Sequence, residues 1–429
     1  MQPLRIGICG LGTVGQGVLE LLQSNGNAIA RQAGRSIEIV RIASRTPKPH
    51  VVPTGVAFST DVADVVADPR VDVVVETIGG TDVALRLFQS CIDARKNIVT
   101  ANKALLAMCG ATLLPAAQRA DISVGFEAAV AGGIPIIKAL REGLAGNAIH
   151  WIAGIINGTS NFILTAMADG RDFAEALADA QALGYAEADP TFDVEGIDAA
   201  HKLTILAALA FGIRLDPNAV YTEGISRVSV EDIDYAAALG YRIKHLGIAR
   251  HAPAGIELRV HPTLIPERRL LAKVDGVMNA VVINSDAVGS SLYYGPGAGA
   301  LPTASAVLAD LIDIARDNAV AVPADTGAKA LPIGDVTTAY YLRIPAVDQP
   351  GVLAKVAQIL STNGISIEAV IQREQAIRTT GDKPWVPVII LTHRVVERAM
   401  DAAVAAIQRL DEVVHPITRI RVETLDEHA

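Results

Sequence analysis

The chain has 429 residues, with 37 Lys and Arg against 46 Asp and Glu, a formal net charge of −9. That balance argues against a general nucleic-acid binder, which carries a basic patch or stripe. The length allows two or three domains of roughly 100–200 residues, and half of the residues are apolar, enough for sizeable cores. The start, MQPLRIGICG, carries no basic region followed by a long apolar run, so no secretory signal is expected. The longest apolar run, Leu203–Ile213, falls short of the roughly 20 residues that span a bilayer. Cys9, Cys91 and Cys109 lack metal-ligand spacing and read as free thiols of a reducing compartment. An acidic cytoplasmic enzyme without nucleic-acid or membrane partners is the class that remains.

In chain order, Leu4–Gly10 reads as a buried strand and Thr13–Gly26 as a helix ending at Asn25-Gly26. Ile37–Ser44, Val71–Gly79 and Asn97–Lys103 read as further strands, the second with the near-continuous apolar character of a parallel strand buried on both faces. This βαβαβ rhythm predicts a Rossmann-type doubly wound sheet over residues 1–130. From about residue 125 Gly and Ala become dense, and an α+β substrate and dimerisation domain is expected over 131–300. Thr303–Ala315 reads as a helix returning to the first domain, which residues 300–320 complete. A linker rich in Pro, Gly and Ala follows at 321–337. Over 338–429 the order strand, helix, two strands, helix, strand is the ferredoxin-like βαββαβ unit, and Thr379–Trp385 within it reads as a hairpin loop. The overall class is α/β.

Three features carry chemistry. Gly10-x-Gly12-x-x-Gly15 follows a strand and opens a helix, the context that turns a weak motif into a dinucleotide turn. Its glycines permit a tight turn and close backbone approach, and the first N–H groups of the helix, at Thr13 and Val14, face a pyrophosphate. The second strand ends Ser44-Arg45, with Lys48 close by, where an NAD-preferring site usually has Asp or Glu. A guanidinium there suits a 2′-phosphate, so NADP is favoured and NAD remains possible. Thr77 and Lys103 follow strands whose carboxyl ends face the cofactor crevice. The third feature is GYAEADPTFDVEGIDAAHK, Gly184–Lys202, with five carboxylates and then one lysine. Asp198 and Lys202 share a helix face, which by itself means only an i,i+4 pair of about 0.2–0.5 kcal/mol.

Taken together, GLGTVGQG, TANKALLA, GIINGTSNFIL, GYAEADPTFDVEGIDAAHK and GPGAGALPTASAV resemble the homoserine dehydrogenases of the monofunctional, bacterial type, over roughly residues 4–320. The tail, DQPGVLAKVAQILSTNGISIEAVIQRE, resembles an ACT domain. The resemblance implies NAD(P)-dependent interconversion of L-homoserine and L-aspartate 4-semialdehyde in threonine and methionine biosynthesis. It implies Lys202 as acid/base, Lys103 as a second lysine beside nicotinamide and substrate, and Asp198 beside the substrate. Glu187 is implied as the ligand of the substrate amino group, with backbone help from Gly184, and Asp193 as an orienting group. Asp189 and Glu195 are left to loop solvation and turn formation, and Asn157–Asn161 to support of the pocket. Gly299 is implied as a backbone approach to the cofactor. Glu127, with the carbonyls of Val130, Gly132 and Ile134, is implied to hold sodium or potassium. The ACT resemblance implies L-threonine as effector at the turn Asp348-x-Pro350-Gly351 and a homodimer or homotetramer. Two other readings stay open on the residues alone: a different dehydrogenase on the same architecture, and a catalytically silent sensor of nucleotide and amino acid.

Overall fold

Buried aliphatic strands and the turns between them set the first layer. A computed structural model describes residues 2–48, 50–318, 325–373, 378–380 and 383–426. The elements run β1 (Leu4–Cys9), α1 (Thr13–Ala33), β2 (Ile37–Ala43), β3 (Ala57–Ser59), α2 (Ala63–Ala67), β4 (Val73–Glu76), α3 (Asp82–Asp93), β5 (Asn97–Thr100), α4 (Lys103–Arg119) and β6 (Val124–Gly125). They form one parallel sheet in the order β3-β2-β1-β4-β5-β6. That is the doubly wound order, whose direction reverses between β1 and β4; ligands bind outside the carboxyl ends of the strands at such a switch point. All four residues of β4 are buried, as a parallel strand covered on both faces requires.

Two expected boundaries move. Helix α1 does not end at Asn25-Gly26 but runs to Ala33, where Gly34 closes it in the left-handed conformation (φ +77°). A helix tolerates one internal glycine at a cost of about 1 kcal/mol, and the burial of Ile29 and Ala33 beyond it outweighs that cost. The fifth strand stops at Thr100, because the Asn102 side chain accepts a hydrogen bond from Leu105 N and starts α4 at Lys103.

The helix Ala300–Ala315 lies back against α1. The contact is close enough that a Cβ on Gly17 would stand 2.6 Å from Ala300 O. Leu308 and Leu311 join Ile8, Val18 and Leu19 in one core. A second core crosses the domain boundary, packing Leu105, Leu106 and Leu113 of α4 against Leu203 and Leu206 of the helix Ile197–Phe211.

The second sheet begins at the edge strand Gly289–Pro296 and continues through Met278–Ser285, Ile149–Ile155, Tyr241–Ala252 and Gly255–Pro266. The tail forms the expected βαββαβ unit: Thr337–Val347, Val352–Thr362, Ile367–Ile371, Lys383–Thr392, Glu397–Ile407 and Thr418–Val422. Its sheet is not separate. Thr418–Val422 pairs parallel with Gly255–Pro266, Thr263 against Arg421 and Leu264 against Val422, so both domains share one sheet. Part of the expected linker, residues 321–324, lies outside the described residues. Further along it, Thr326 N donates to Gly212 O and Ala330 bridges to Ile256. At the expected hairpin loop Thr379–Trp385, the strand Arg378–Thr380 pairs antiparallel with Lys383–Trp385, and residues 381–382 also lie outside the described residues. Among the described residues no helix is long and apolar enough to cross a membrane.

Candidate active site

The dinucleotide turn has a separate use for each glycine. Gly10 sits at φ +104°, which L side chains rarely adopt. A Cβ on Gly15 would lie 2.1 Å from Gly10 O, so it allows α1 to close on the turn. Gly12 faces open space, where a ligand backbone has room. Thr77 donates its hydroxyl to Gly10 O at 2.8 Å, tying the end of β4 to the turn. The exposed Thr13 and half-buried Val14 open α1, with N–H groups that have no partner within the helix. A cleft of about 530 Å³ opens here, lined by Gly10, Gly12, Arg45, Lys48, Thr77 and Gly79. Arg45 is exposed at its rim, and Lys48 donates to Leu11 O at 3.0 Å.

Glu76 at the end of β4 organises the opposite lip. Its buried carboxylate accepts from Thr100 Oγ1 (2.5 Å), Ile78 N (2.8 Å) and Gly79 N (3.2 Å). Sequence reading had singled out only its neighbour Thr77; a carboxylate closing a buried aliphatic strand was the available signal.

Chain-distant residues meet around Asp198. Its Oδ2 lies 2.6 Å from Lys202 Nζ and its Oδ1 2.5 Å from Lys103 Nζ. The second contact is an ion pair without hydrogen-bond alignment, since Asp198 Oδ1 has no hydrogen-bond partner. Lys202 also donates to Ile156 O at 2.7 Å. Asp198 and Lys202 are buried, while Lys103 is partly open to solvent. Asn157 completes the cluster, its amide donating to Asp198 Oδ2 (2.8 Å) and Asp193 Oδ1 (2.7 Å) while its oxygen caps the helix Gly158–Ala168 at Ser160 N (2.8 Å). The polar segment Asn157–Asn161, expected to support the pocket, is thus a helix start and a site wall at once, and Asn157 is its residue that joins the two carboxylates.

The charges follow from this packing. Burial alone raises the Asp198 carboxyl, but Lys202 and Lys103 outweigh it and hold it well below the usual carboxylate range. Burial lowers Lys202; Asp198 opposes this and Lys103 adds to it, and the net shift is downward. Burial raises the Asp193 carboxyl against its bond to Asn157.

The other candidates are placed as follows. Gly184 turns the chain at φ +75°, and Glu187 is exposed, its carbonyl accepting from Gln181 Nε2 at 3.1 Å. The loop between them is tied to the site helix by Thr159 Oγ1, which donates to Tyr185 O at 2.6 Å. Asp189 makes a turn, accepting from Thr191 N. Glu195 is more than loop solvation: half-buried, it accepts from Ser226 Oγ at 2.8 Å. Gly299, at φ +125°, precedes the helix Ala300–Ala315. In the tail, Gly351 at φ +92° precedes the helix Val352–Thr362.

Glu127 is buried, and its two carboxylate oxygens accept from Ile137 N and Lys138 N at 2.9 Å each. Burial raises its carboxyl to about 7 and that of Asp310, which accepts from Glu127 N, to about 8. Between them the chain turns at Ala131 in the left-handed conformation (φ +51°), and the carbonyl of Ile134 already accepts from Ile136 N at 2.7 Å. Among the described residues no group of three or more His, Cys, Asp or Glu side chains has metal-binding geometry. An oxygen-rich loop beside two buried carboxylates fits a hard monovalent cation and not a thiolate- or imidazole-bound metal.

A doubly wound sheet with a glycine turn at its switch point, together with a lysine–carboxylate–lysine cluster around the buried Asp198, defines a dinucleotide-dependent dehydrogenase. Residues 10–127 match the family model described as homoserine dehydrogenase, NAD binding domain; residues 135–312 match that described as homoserine dehydrogenase; residues 340–412 match the ACT domain. A homoserine dehydrogenase of Pseudomonas aeruginosa is 55% identical over 99% of this chain and 100% of its own length. The crystal structure of a homoserine dehydrogenase from Thiobacillus denitrificans superposes with a TM-score of 0.94 at 53% identity, covering 99% of both chains. A hyperthermophilic archaeal homoserine dehydrogenase in complex with NADPH has a TM-score of 0.62 at 26% identity, over 73% of this chain and 97% of its own. The chain belongs to the homoserine dehydrogenase family. It is an NAD(P)-dependent oxidoreductase acting on a CH–OH group, and its reactants are L-homoserine and L-aspartate 4-semialdehyde.

Proposed function

We propose that Lys202 is the acid/base of the reaction and that Asp198 holds it in register with Lys103. The observation that carries this reading is the buried carboxylate shared by two ammonium groups, at 2.6 and 2.5 Å. The bound nicotinamide supplies or accepts the hydride. In the reducing direction, Lys202 Nζ gives its proton to the aldehyde oxygen as the carbonyl carbon becomes CH–OH; in the oxidising direction it takes that proton back. A general acid works best with a pKa near the operating pH, and burial moves Lys202 in that direction. Lys103 stabilises charge developing on the same oxygen and neighbours the cofactor. Asp193, held by Asn157, orients the substrate, while Glu187 with the Gly184 backbone receives its ammonium group. The exposure of Glu187 fits a group that pairs only when substrate is bound.

Gly10, Gly12, Thr13, Val14, Gly15, Thr77 and Gly299 cradle the dinucleotide. Arg45 at the rim, with Lys48 inside it, favours NADP over NAD, and the NADPH complex of the archaeal relative supports that choice. Glu127 with the carbonyls of Val130, Gly132 and Ile134 holds sodium or potassium as a structural ion. The ACT module binds L-threonine and inhibits the enzyme, which places it in threonine and methionine biosynthesis. The protein works in the cytoplasm, a reading supported by its free cysteines. It assembles as a homodimer or homotetramer, supported by exposed Val288, Leu292 and Tyr294 at and beside the edge strand Gly289–Pro296.

The test is Lys202→Ala, assayed by NADP⁺ reduction with L-homoserine at 340 nm. Turnover is expected to fall about 10²–10⁴-fold with the Kd for NADP⁺ retained. Normal turnover with weakened cofactor binding refutes the role.

A further inference from the structure

A buried ion-pair cluster sits where the tail joins the central sheet. Arg421 of the strand Thr418–Val422 is 1% exposed. It forks across Glu397 of the tail's own helix at 2.5 and 2.9 Å and reaches Glu223 of the catalytic domain at 2.8 Å. Its guanidinium lies 4.7 Å from the centre of the Tyr221 ring, and the Tyr221 hydroxyl donates to the same Glu223 oxygen at 3.0 Å. The Glu223 backbone is held too: its N–H donates to Val260 O at 2.8 Å, and its carbonyl accepts from His245 Nε2 at 3.0 Å.

The chain after Glu223 presses on the start of the catalytic helix. A Cβ on Gly224 would stand 2.6 Å from Val194 O and 2.5 Å from Glu195 Oε2. Ile225 N donates to Val194 O at 2.8 Å, and Ser226 Oγ to Glu195 Oε1 at 2.8 Å. Gly196, at φ +82°, is the cap from which Ile197–Phe211 starts. A Cβ there would meet His245 Cε1 at 3.0 Å and Thr222 Cγ2 at 3.1 Å. Asp198 is the second residue beyond that cap. Between Arg421 and Gly196 the path consists of hydrogen bonds and the short backbone stretch 222–226, with tight packing around Gly224 and Gly196.

We propose that Arg421 and Glu223 are positioning residues for the reaction: through the segment Thr222–Ser226 they fix the first turn of the catalytic helix and so the seat of Asp198 between the two lysines. The same links carry the state of the tail to the active site. Coupling of this kind travels through contiguous packed contacts with little slack, and a Gly224 without room for a methyl group leaves little. The transmission half rests on the reading of the ACT module as an amino-acid sensor; the positioning half does not.

The full-length variant Glu223→Gln keeps side-chain size and removes the charge facing Arg421. It is compared with Arg343→Lys, which loosens a second contact between tail and domain, Arg343–Asp232 at 2.6 Å, on the helix Val230–Ala238. Glu223→Gln is expected to lower kcat on the order of tenfold, as a sub-ångström misplacement of a reacting group does. The pH profile of kcat, set by Lys202 among Asp198, Lys103 and Asp193, should shift, with the Kd for NADP⁺ unchanged. Arg343→Lys should lower Tm while kcat and the pH profile stay as in the parent. Equal kinetics and unshifted profiles in both variants overturn the proposal. With saturating L-threonine as probe, inhibition lost in Glu223→Gln and kept in Arg343→Lys supports transmission; inhibition kept in both overturns it. A parent enzyme that ignores threonine sinks the sensor reading and the transmission with it, while kcat and the pH profile still decide positioning. Should Glu223→Gln fail to fold, Arg421→Lys, which keeps the charge and loses the fork, reads the same quantities.

Discussion

Replacing Asp198 by Asn tests the electrostatics of the site most directly. The two lysine nitrogens lie 2.6 and 2.5 Å from its carboxylate. At an effective dielectric constant near 20, each contact carries an attraction of about 6 kcal/mol before desolvation is counted. Burial of the ions offsets much of this, and removing one partner of a buried pair typically costs about 3–5 kcal/mol. Lys103 is partly open to solvent, so most of that loss falls on Lys202. Without the carboxylate, burial and Lys103 both push Lys202 further down, with only the weaker pull of Asp193 opposing them. A base whose folded pKa lies below its unfolded value, near 10.4, binds fewer protons folded than unfolded. Stability then rises with pH and is lost as pH falls through the folded pKa. Asp198→Asn should therefore be more destabilised at pH 6 than at pH 9, measured by urea unfolding. In aldehyde reduction, which needs protonated Lys202, the alkaline limb of kcat should move to lower pH. An equal penalty at both pH values, with the limb unmoved, refutes the reasoning.

Gly12→Ala and Gly15→Ala should separate binding from packing. The first adds a methyl group to open space and is expected to weaken NADP⁺ binding with Tm nearly unchanged, whereas the second meets Gly10 O at 2.1 Å and should cost about 1–3 kcal/mol in thermal unfolding. Arg45→Ala should reduce the preference for NADP⁺ over NAD⁺ about tenfold or more by removing a charge-assisted phosphate contact, read as the ratio of kcat/KM values; an unchanged ratio assigns the 2′-phosphate elsewhere. Because the tail shares a sheet with the central domain, calorimetry should record the two unfolding in one transition. Arg259→Leu strips a fully buried guanidinium from Glu257 and Glu423 and should lower that transition as a whole by about 3–5 kcal/mol; two separate transitions would refute a shared core.

The sequence by itself determined what is local. Segments rich in aliphatic residues set β1 and β4, the glycine spacing set the dinucleotide turn, and alternating strand and helix periods set the six elements of the tail. The i,i+4 spacing put Asp198 and Lys202 on one helix face, and the ordered motifs named the family. These are properties of a few neighbouring residues, and steric and hydrogen-bonding rules act on them directly. The tertiary structure decided the rest. Asn157 bridges Asp193 and Asp198 only because the helix Gly158–Ala168 packs on the short helix Thr191–Val194, which carries Asp193 and itself packs on the catalytic helix. Lys103 reaches Asp198 because Asn102 starts α4 where the two domains share a core. Burial of Ile29 and Ala33 carried α1 through an Asn-Gly that local rules read as a stop. The tail joined the central sheet through a two-residue register with no sequence period of its own. Each depends on contacts between segments far apart in the chain, where burial free energy outweighs local preference.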